Sequence, residues 1–442
     1  MIKLSDHFNY KRLFRFTLPS ISMLLFLSIY GVVDGFFVSN YVGKISFSAL
    51  NFVMPFLMFL GFIGFLFGTG GSALIAKTLG EGDRSRANKI FSLLIYVSII
   101  CGIIFTIAGF ILLPNVAEFL GADGEFLEQS IIYGRIVILA LTFDILQVEF
   151  QTLFVTAEKP QLGFYMTVAA GLINIFLDAI FIVGFDFGIE GAAAATAISQ
   201  FFGGVISFIY FTRPNSSLLR LTKTNFDLNV LIKTCSNGVS ELMSTVSMSI
   251  VGTLYNVQLL KYAGEDGVAA FGILMYINFM FHSIFIGYSV GSAPLISYHF
   301  GAKNYYELKN LLKRSFIMIV VFAILMFTSA EIFARSLAMI FVSYDQNLLE
   351  MTVHAFRIYS FAFLLAGFTI FTSSFFTALN DGVTSAIISF LHMMIFETSA
   401  ILILPLIFGL NGIWFSMIVA EFMAIIISIF FLKKYRSKFK YY

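Results

Sequence analysis

Charge is scarce in this chain. Only 12% of its 442 residues are Asp, Glu, Lys or Arg, against 59% hydrophobic residues and a mean hydropathy of +0.92. A soluble globular domain carries about 25% charged residues, so that class is excluded. Cysteine is almost missing: Cys101 and Cys235 stand far apart with no CxxC spacing, which leaves two inert thiols in packed helices. The five His show no metal-ligand spacing, and no metal site is expected from them. The stretch Gly68-Thr69-Gly70-Gly71-Ser72 lacks the Gly-Lys-Ser/Thr ending of a phosphate loop and lies in an apolar run, so it reads as close helix packing. No Ser/Lys, His/Glu or adjacent-aspartate arrangement stands at catalytic spacing, and an enzyme is not expected.

What the chain does have is long apolar runs, each able to cross a hydrocarbon layer about 30 Å thick. They lie near 14–38, 49–76, 90–113, 130–157, 161–184 and 190–211, then near 234–260, 267–299, 315–341, 351–378, 384–408 and 411–432. Their lengths mean helices, because a strand in lipid satisfies its backbone only in a closed barrel. The first run follows Lys11, Arg12 and Arg15, yet it is too long for a signal-peptide core and carries Asp34. A retained first span is therefore expected. Of the 27 Lys and Arg, 22 fall in the N-terminus, the even-numbered loops, the central linker and the tail. The opposite loop at 114–128 holds Glu118, Asp123, Glu125 and Glu128 and no basic residue. The positive-inside rule puts both termini in the cytoplasm of a multi-pass cell-membrane protein.

The chain also matches itself when shifted by half its own length. Ser28-Ile29-x-Gly31 returns as Ser249-Ile250-x-Gly252, Tyr41-x-Gly43 as Tyr262-x-Gly264, Gly70 as Gly291, Thr156-Ala157 as Thr377-Ala378, and Gly188 and Gly191 as Gly409 and Gly412. Each copy has six spans, so the chain returns to its starting side before the second copy begins. The expected fold is an all-α integral membrane protein of twelve helices, in two parallel six-helix repeats related by a pseudo-twofold axis along the membrane normal. The boundaries are an N-terminal lobe at 1–211, a cytoplasmic linker at 212–233 that is polar and holds Pro214, and a C-terminal lobe at 234–442. Gly64-x-x-x-Gly68 and Gly287-x-x-x-Gly291 are small-residue faces for helix contacts.

Ionisable groups inside spans are expensive, which makes each a functional candidate. Tyr30 and Asp34 lie one turn apart in the first span, as do Asn174 and Asp178 in the fifth, and Thr196 adds a hydroxyl in the sixth. Such a cluster holds either a proton, through paired carboxylates, or Na⁺, through its oxygen ligands. Gln147, Glu149, His392 and Glu397 are candidates for a substrate cavity, where carboxylates attract a cation. Asp144, Glu241, His282 and Glu421 are further embedded groups without an assigned role. The second-repeat counterparts of Asp34, Asn174, Asp178 and Thr196 are Tyr255, Ile395, Ser399 and Met417, which places the proposed cluster in the first lobe alone.

At these residues the chain resembles the multidrug and toxic compound extrusion (MATE) family over essentially its full length. Pro19 followed by Asp34 is similar to the family's bent first helix and coupling acid. Asn174-x-x-x-Asp178, Thr196 and Tyr30 match its first-lobe polar cluster, and Gly188-x-x-Gly191-Ala-Ala-Ala-Ala-Thr196 is also family-like. The resemblance implies an antiporter that expels amphipathic, often cationic, small molecules in exchange for H⁺ or Na⁺. It implies no cofactor beyond that ion, the lipid bilayer and a small-molecule substrate as partners, no nucleic acid, and a monomer. The branch that couples through an acid in the seventh span would carry it near Met248, where nothing titrates, so Glu241 does not inherit that role and the chain looks closer to the bacterial branch with a first-lobe aspartate. A flippase for lipid-linked saccharides, or an exporter of one dedicated metabolite, is the alternative; a flippase favours a cationic cavity, and here only Arg135 and Arg357 are embedded cations.

Overall fold

The computed structural model describes residues 2–342 and 345–441, with the side chain of Lys44 outside that description. Among the described residues nine helices are long and apolar enough to cross a membrane, and two pairs of shorter helices are so when joined. One of the nine, Leu228–Gly301, is two spans meeting at Gly264, where the backbone leaves the helix (φ 64°, ψ −153°). The twelve spans are α1 Tyr10–Val42, α2 Ile45–Gly80, α3 Arg84–Phe119, α4 Gly124–Leu139 with Leu141–Thr156, α5 Pro160–Gly184 and α6 Gly188–Thr212. The second set is α7 228–263, α8 265–301, α9 Tyr305–Val342, α10 Gln346–Ser360 with Phe363–Ala378, α11 Gly382–Phe408 and α12 Leu410–Phe439. This is the helical, twelve-span, two-repeat fold that the apolar runs predict. Most helices outrun those runs, because polar first turns lengthen them: Asp83 starts α3 by accepting the Arg86 N–H at 2.8 Å, and Asp345 starts α10 by accepting those of Asn347 and Leu348.

The repeat is visible in the backbone itself. Gly43 ends α1 at φ 124° and Gly264 ends α7 at φ 64°, a region that a β-carbon resists. The two glycines are counterparts in the repeat. Neither α4 nor α10 is the straight span expected over 130–157 and 351–378. The two halves are bent by 59° in α4 and by 52° in α10, at Ala140 and at Phe361, which are counterparts again. No Pro or Gly marks either bend. The cause is local: Ala140 and Phe143 in one, and Phe361, Ala362, Leu364 and Leu365 in the other, bond to the carbonyl three residues back, tightening the helix into a turn of 3₁₀ type.

Residue contacts divide the chain into two compact units. One is Ser22–Gly238 with the N-terminus through Leu4; the other is Ser5–Ile21 with Val239–Tyr442. Each unit thus holds most of one repeat and the start of the other repeat's first helix, and the linker 212–233 lies wholly in the first. Glycines make these contacts. A β-carbon on Gly70 would strike the Thr234 carbonyl and stand 2.7 Å from the Gly238 nitrogen, while one on Gly291 would stand 3.0 Å from the Thr17 α-carbon. The two small-residue faces behave as predicted: Gly64 and Gly68 lie against Val148 and Thr152 of α4, and Gly287 against Ile21 of α1. Pro19 is buried in a helix that runs on through it, two residues before α1 passes from one unit to the other. Cys101 and Cys235 are free thiols.

Candidate functional site

Helical spacing brings pairs of polar side chains to one face on three spans. Tyr30 and Asp34 lie on α1, Asn174 and Asp178 on α5, and Thr196 and Gln200 on α6, each pair four residues apart. Packing then brings the faces together. The ring of Tyr30 is stacked on Phe26 at 6.4 Å, and both rest on α5 at Gly171, where a β-carbon would meet Phe26 at 2.5 Å. One turn further along, the carboxyls of Asp34 and Asp178 lie close enough for each to feel the other's charge. Asn174, with its amide turned so that both ends are satisfied, donates to Asp178 Oδ2 at 3.3 Å and accepts the Thr196 backbone N–H at 3.3 Å. The same amide stands 3.4 Å from the Thr196 hydroxyl.

The cluster is dry. Asn174 and Asp178 are 0% exposed, Thr196 7% and Asp34 8%. Asp34 Oδ1 and Asp178 Oδ1 have no hydrogen-bond partner. An unpartnered buried acceptor costs about 1–3 kcal/mol, more if charged, so these oxygens are placed to receive a proton or a cation. Directly after Asp178 the helix widens into a π-helical turn, Ala179–Gly184, a distortion that often accompanies functional sites.

All five residues expected in the cluster are thus together. Three more escaped the sequence reading of the site. Tyr133 of α4, fully buried, lies in electrostatic range of the two carboxyls, and its hydroxyl has no hydrogen-bond partner. Asp144, also on α4, accepts from Gln200 Nε2 at 3.0 Å and lies in electrostatic range of Tyr30. The one available signal was Gln200, four residues after Thr196. The cavity candidates fare differently. Gln147 and Glu149, two residues apart on α4, face opposite ways: Gln147 fills the groove left by Gly203, whereas Glu149 is 0% exposed and accepts from Ser98 of α3 at 2.6 Å. The structure does not bring these two together.

His392 and Glu397 sit in a second buried cluster, within the second repeat. They lie in a π-helical turn, Leu391–Glu397, whose i→i+5 bonding draws residues five apart towards one face. His392 Nε2 is 3.3 Å from Glu421 Oε1 of α12. Glu397 lies in electrostatic range of Tyr255 of α7, whose hydroxyl pairs with the Ser416 hydroxyl at 2.8 Å. Thr369 of α10 lies near Glu421, Tyr359 of α10 near both glutamates, and His282 of α8 bonds the Asn278 carbonyl at 3.2 Å. Among the described residues no three His, Cys, Asp or Glu form a metal-binding group. Two clefts, of about 440 and 400 Å³, lie elsewhere in the first unit.

Three comparisons bear on this arrangement. The family model MatE matches residues 19–180 and again 242–401, one stretch in each repeat, and the two stretches end at counterpart positions. The chain is 27% identical over 431 residues to the multidrug export protein MepA of Staphylococcus haemolyticus (strain JCSC1435), covering 97% of this chain and 94% of that one. To MepA of Staphylococcus aureus (strain MSSA476) it is 26% identical over 415 residues, 93% of this chain and 91% of that one. Among solved structures it resembles a MATE protein in complex with MaL6 (TM-score 0.94, 21% identity, 99% of this chain and 98% of that one). It likewise resembles an outward-facing multidrug resistance MATE transporter (TM-score 0.93, 22% identity, 99% and 98%).

Proposed function

The chain belongs to the MATE family of membrane transporters, and from that premise we propose that it exports amphipathic, cationic small molecules from the cell across the plasma membrane in exchange for H⁺ or Na⁺. Both termini are taken as cytoplasmic and the working unit as a monomer. The multidrug export named for the staphylococcal relatives supports the substrate class. The observation that carries the coupling role is the burial of Asp34 and Asp178 in one polar cluster, with one oxygen of each carboxyl unpartnered. Neighbouring carboxyls in a buried site favour taking up a proton, and the same oxygens with those of Asn174 and Thr196 suit Na⁺ equally.

In this reading the cation enters the cluster from outside and cancels the charge that held it open. α1 repacks about Pro19, substrate is expelled, and the cation leaves to the cytoplasm on return. Dye efflux from proteoliposomes under separately imposed pH and Na⁺ gradients tests it. Export driven by one gradient identifies the ion; export under neither rejects the coupling. A lipid-linked saccharide flippase is disfavoured by the acidic character of both clusters, since Arg135 is engaged over the ring of Phe110 at 4.8 Å. A second reading assigns the coupling cation to the His392–Glu421–Glu397 cluster, on the strength of its burial and of the 3.3 Å approach of His392 to Glu421. Export that survives in Asp34→Asn and fails in Glu421→Gln would favour it.

A further inference from the structure

The linker between the repeats is docked rather than loose. Three side chains one turn apart on α3 hold it. Arg84 donates to the Leu218 and Ser217 carbonyls at 3.0 and 2.9 Å, Asn88 Oδ1 accepts the Arg220 N–H at 3.0 Å, and Ser92 Oγ accepts the Thr222 N–H at 2.8 Å. Leu219, between them, is 0% exposed. At Lys223 the chain leaves this face, and Asp227 begins α7 by accepting the Asn229 and Val230 N–H groups at 3.0 and 3.3 Å. Between the departing segment and the neighbouring face of α3 lies a cleft of about 440 Å³, lined by Arg86, Lys89, Lys223, Thr224, Asn225 and Phe226.

Three cations against one carboxylate make this cleft an anion site. The carboxylate is Asp227, already engaged by the first amides of α7. Among the described residues none of the three cations forms an ion pair. The surroundings distinguish a lipid from a soluble anion. Phe226 and Leu228, which line the cleft, remain 72% and 58% exposed and give it an apolar rim. A small soluble anion gains nothing from that apolar rim, whereas a phospholipid can lay its chains on it while its phosphate sits among the cations. We propose that the cleft binds the phosphate headgroup of an anionic phospholipid of the cytoplasmic leaflet. The leaflet follows from the Lys and Arg asymmetry; the site is independent of the coupling ion and of export. Occupancy neutralises Arg86, Lys89 and Lys223 and fastens the segment that joins the two repeats.

The test uses the full chain in neutral detergent, with thermal stability followed while dioleoyl phosphatidylglycerol, dioleoyl phosphatidylcholine or inorganic phosphate is added. Phosphatidylglycerol should raise the unfolding temperature saturably; the other two should not. In R86Q/K89Q/K223Q the apparent affinity should fall by about a hundredfold or more, given three charges at a membrane surface. A charge-matched control on the same side, K11Q/R15Q/K433Q, should keep the response. Equal loss in both variants reduces the effect to diffuse charge and overturns the site. A response retained in the first variant, or reproduced by inorganic phosphate alone, overturns the lipid assignment. Native mass spectrometry of bound phosphatidylglycerol decides the matter if the variant's own stability has shifted.

Discussion

Asp34→Asn separates a coupling role from a packing role. Asparagine keeps the side chain's shape and can donate to the nearby Asp178 carboxylate, so the 8%-exposed position stays filled. The protein should fold with less than about 1 kcal/mol of loss. Asp34→Leu leaves the Asp178 carboxyl, 0% exposed, with one polar neighbour fewer, a change that costs about 1–3 kcal/mol and should lower the yield of folded protein. The transport consequence is larger. A one-unit pH gradient is worth about 1.4 kcal/mol per proton, or about tenfold accumulation of a monovalent cation for each proton exchanged. Two carboxyls cap the exchange at two protons, hence about a hundredfold. Proteoliposomes under that gradient, with ethidium fluorescence as the readout, should show accumulation in the wild type and a ratio near one in Asp34→Asn. Dye binding to the detergent-solubilised variant should persist. Undiminished accumulation in a well-folded Asp34→Asn variant refutes the assignment.

Three further outcomes follow from contacts already described. His392→Ala strands Glu421 in the interior and should cost about 3–5 kcal/mol, while the apolar double variant H392L/E421L should lose less; equal thermal unfolding temperatures for the single variant and the wild type would show the pair to be dispensable. Gly70→Ala and Gly291→Ala each force a β-carbon into the backbone of a neighbouring helix and should lower stability by about 1–3 kcal/mol, read from thermal unfolding in detergent. Tyr441, 1% exposed, donates to the Leu432 carbonyl at 2.8 Å, and burial together with the nearby Asp381 pushes its phenol above the ordinary value of 10.0. Its contribution, about 0.5–1.5 kcal/mol, is therefore fully present below pH 10 and fades as the pH rises through the folded-state value. The stability gap between wild type and Tyr441→Phe should close on that alkaline side, and a gap independent of pH would be the contrary result.

The number of spans, the repeat and the first cluster were legible because each rests on local rules. An apolar run of some twenty residues reports a span whatever it packs against, and i,i+4 spacing places Tyr30 with Asp34 and Asn174 with Asp178 on shared faces before any tertiary contact is known. The bends at Ala140 and Phe361 were not legible. They arise from a change in hydrogen-bond partner, with no proline or glycine to announce it. The placement of Glu149 follows a similar logic: two residues along a helix is a half turn, so Gln147 and Glu149 were bound to diverge, but which one reached the interior depended on Ser98 of α3.

The second-repeat cluster exposes what a constant offset can and cannot test. Turns, bends and glycine contacts recur at the half-length offset, as Gly43 and Gly264, Ala140 and Phe361, and Gly70 and Gly291 show. Each is tied to a backbone position, so the offset must hold for the fold to repeat. A buried charge is tied only to a point in space that a side chain must reach. One helical turn advances about 5.4 Å, within the reach of a glutamate or histidine, so the same point can be served from a neighbouring rung. Glu421 stands at the counterpart of Gln200, Tyr255 at that of Asp34, and Glu397 two residues before that of Asp178, yet they gather around one centre. The counterparts Ile395, Ser399 and Met417 are uncharged, and that says nothing about whether the second repeat holds charge. Comparison at a fixed offset tests packing; the chemistry has to be sought one turn to either side.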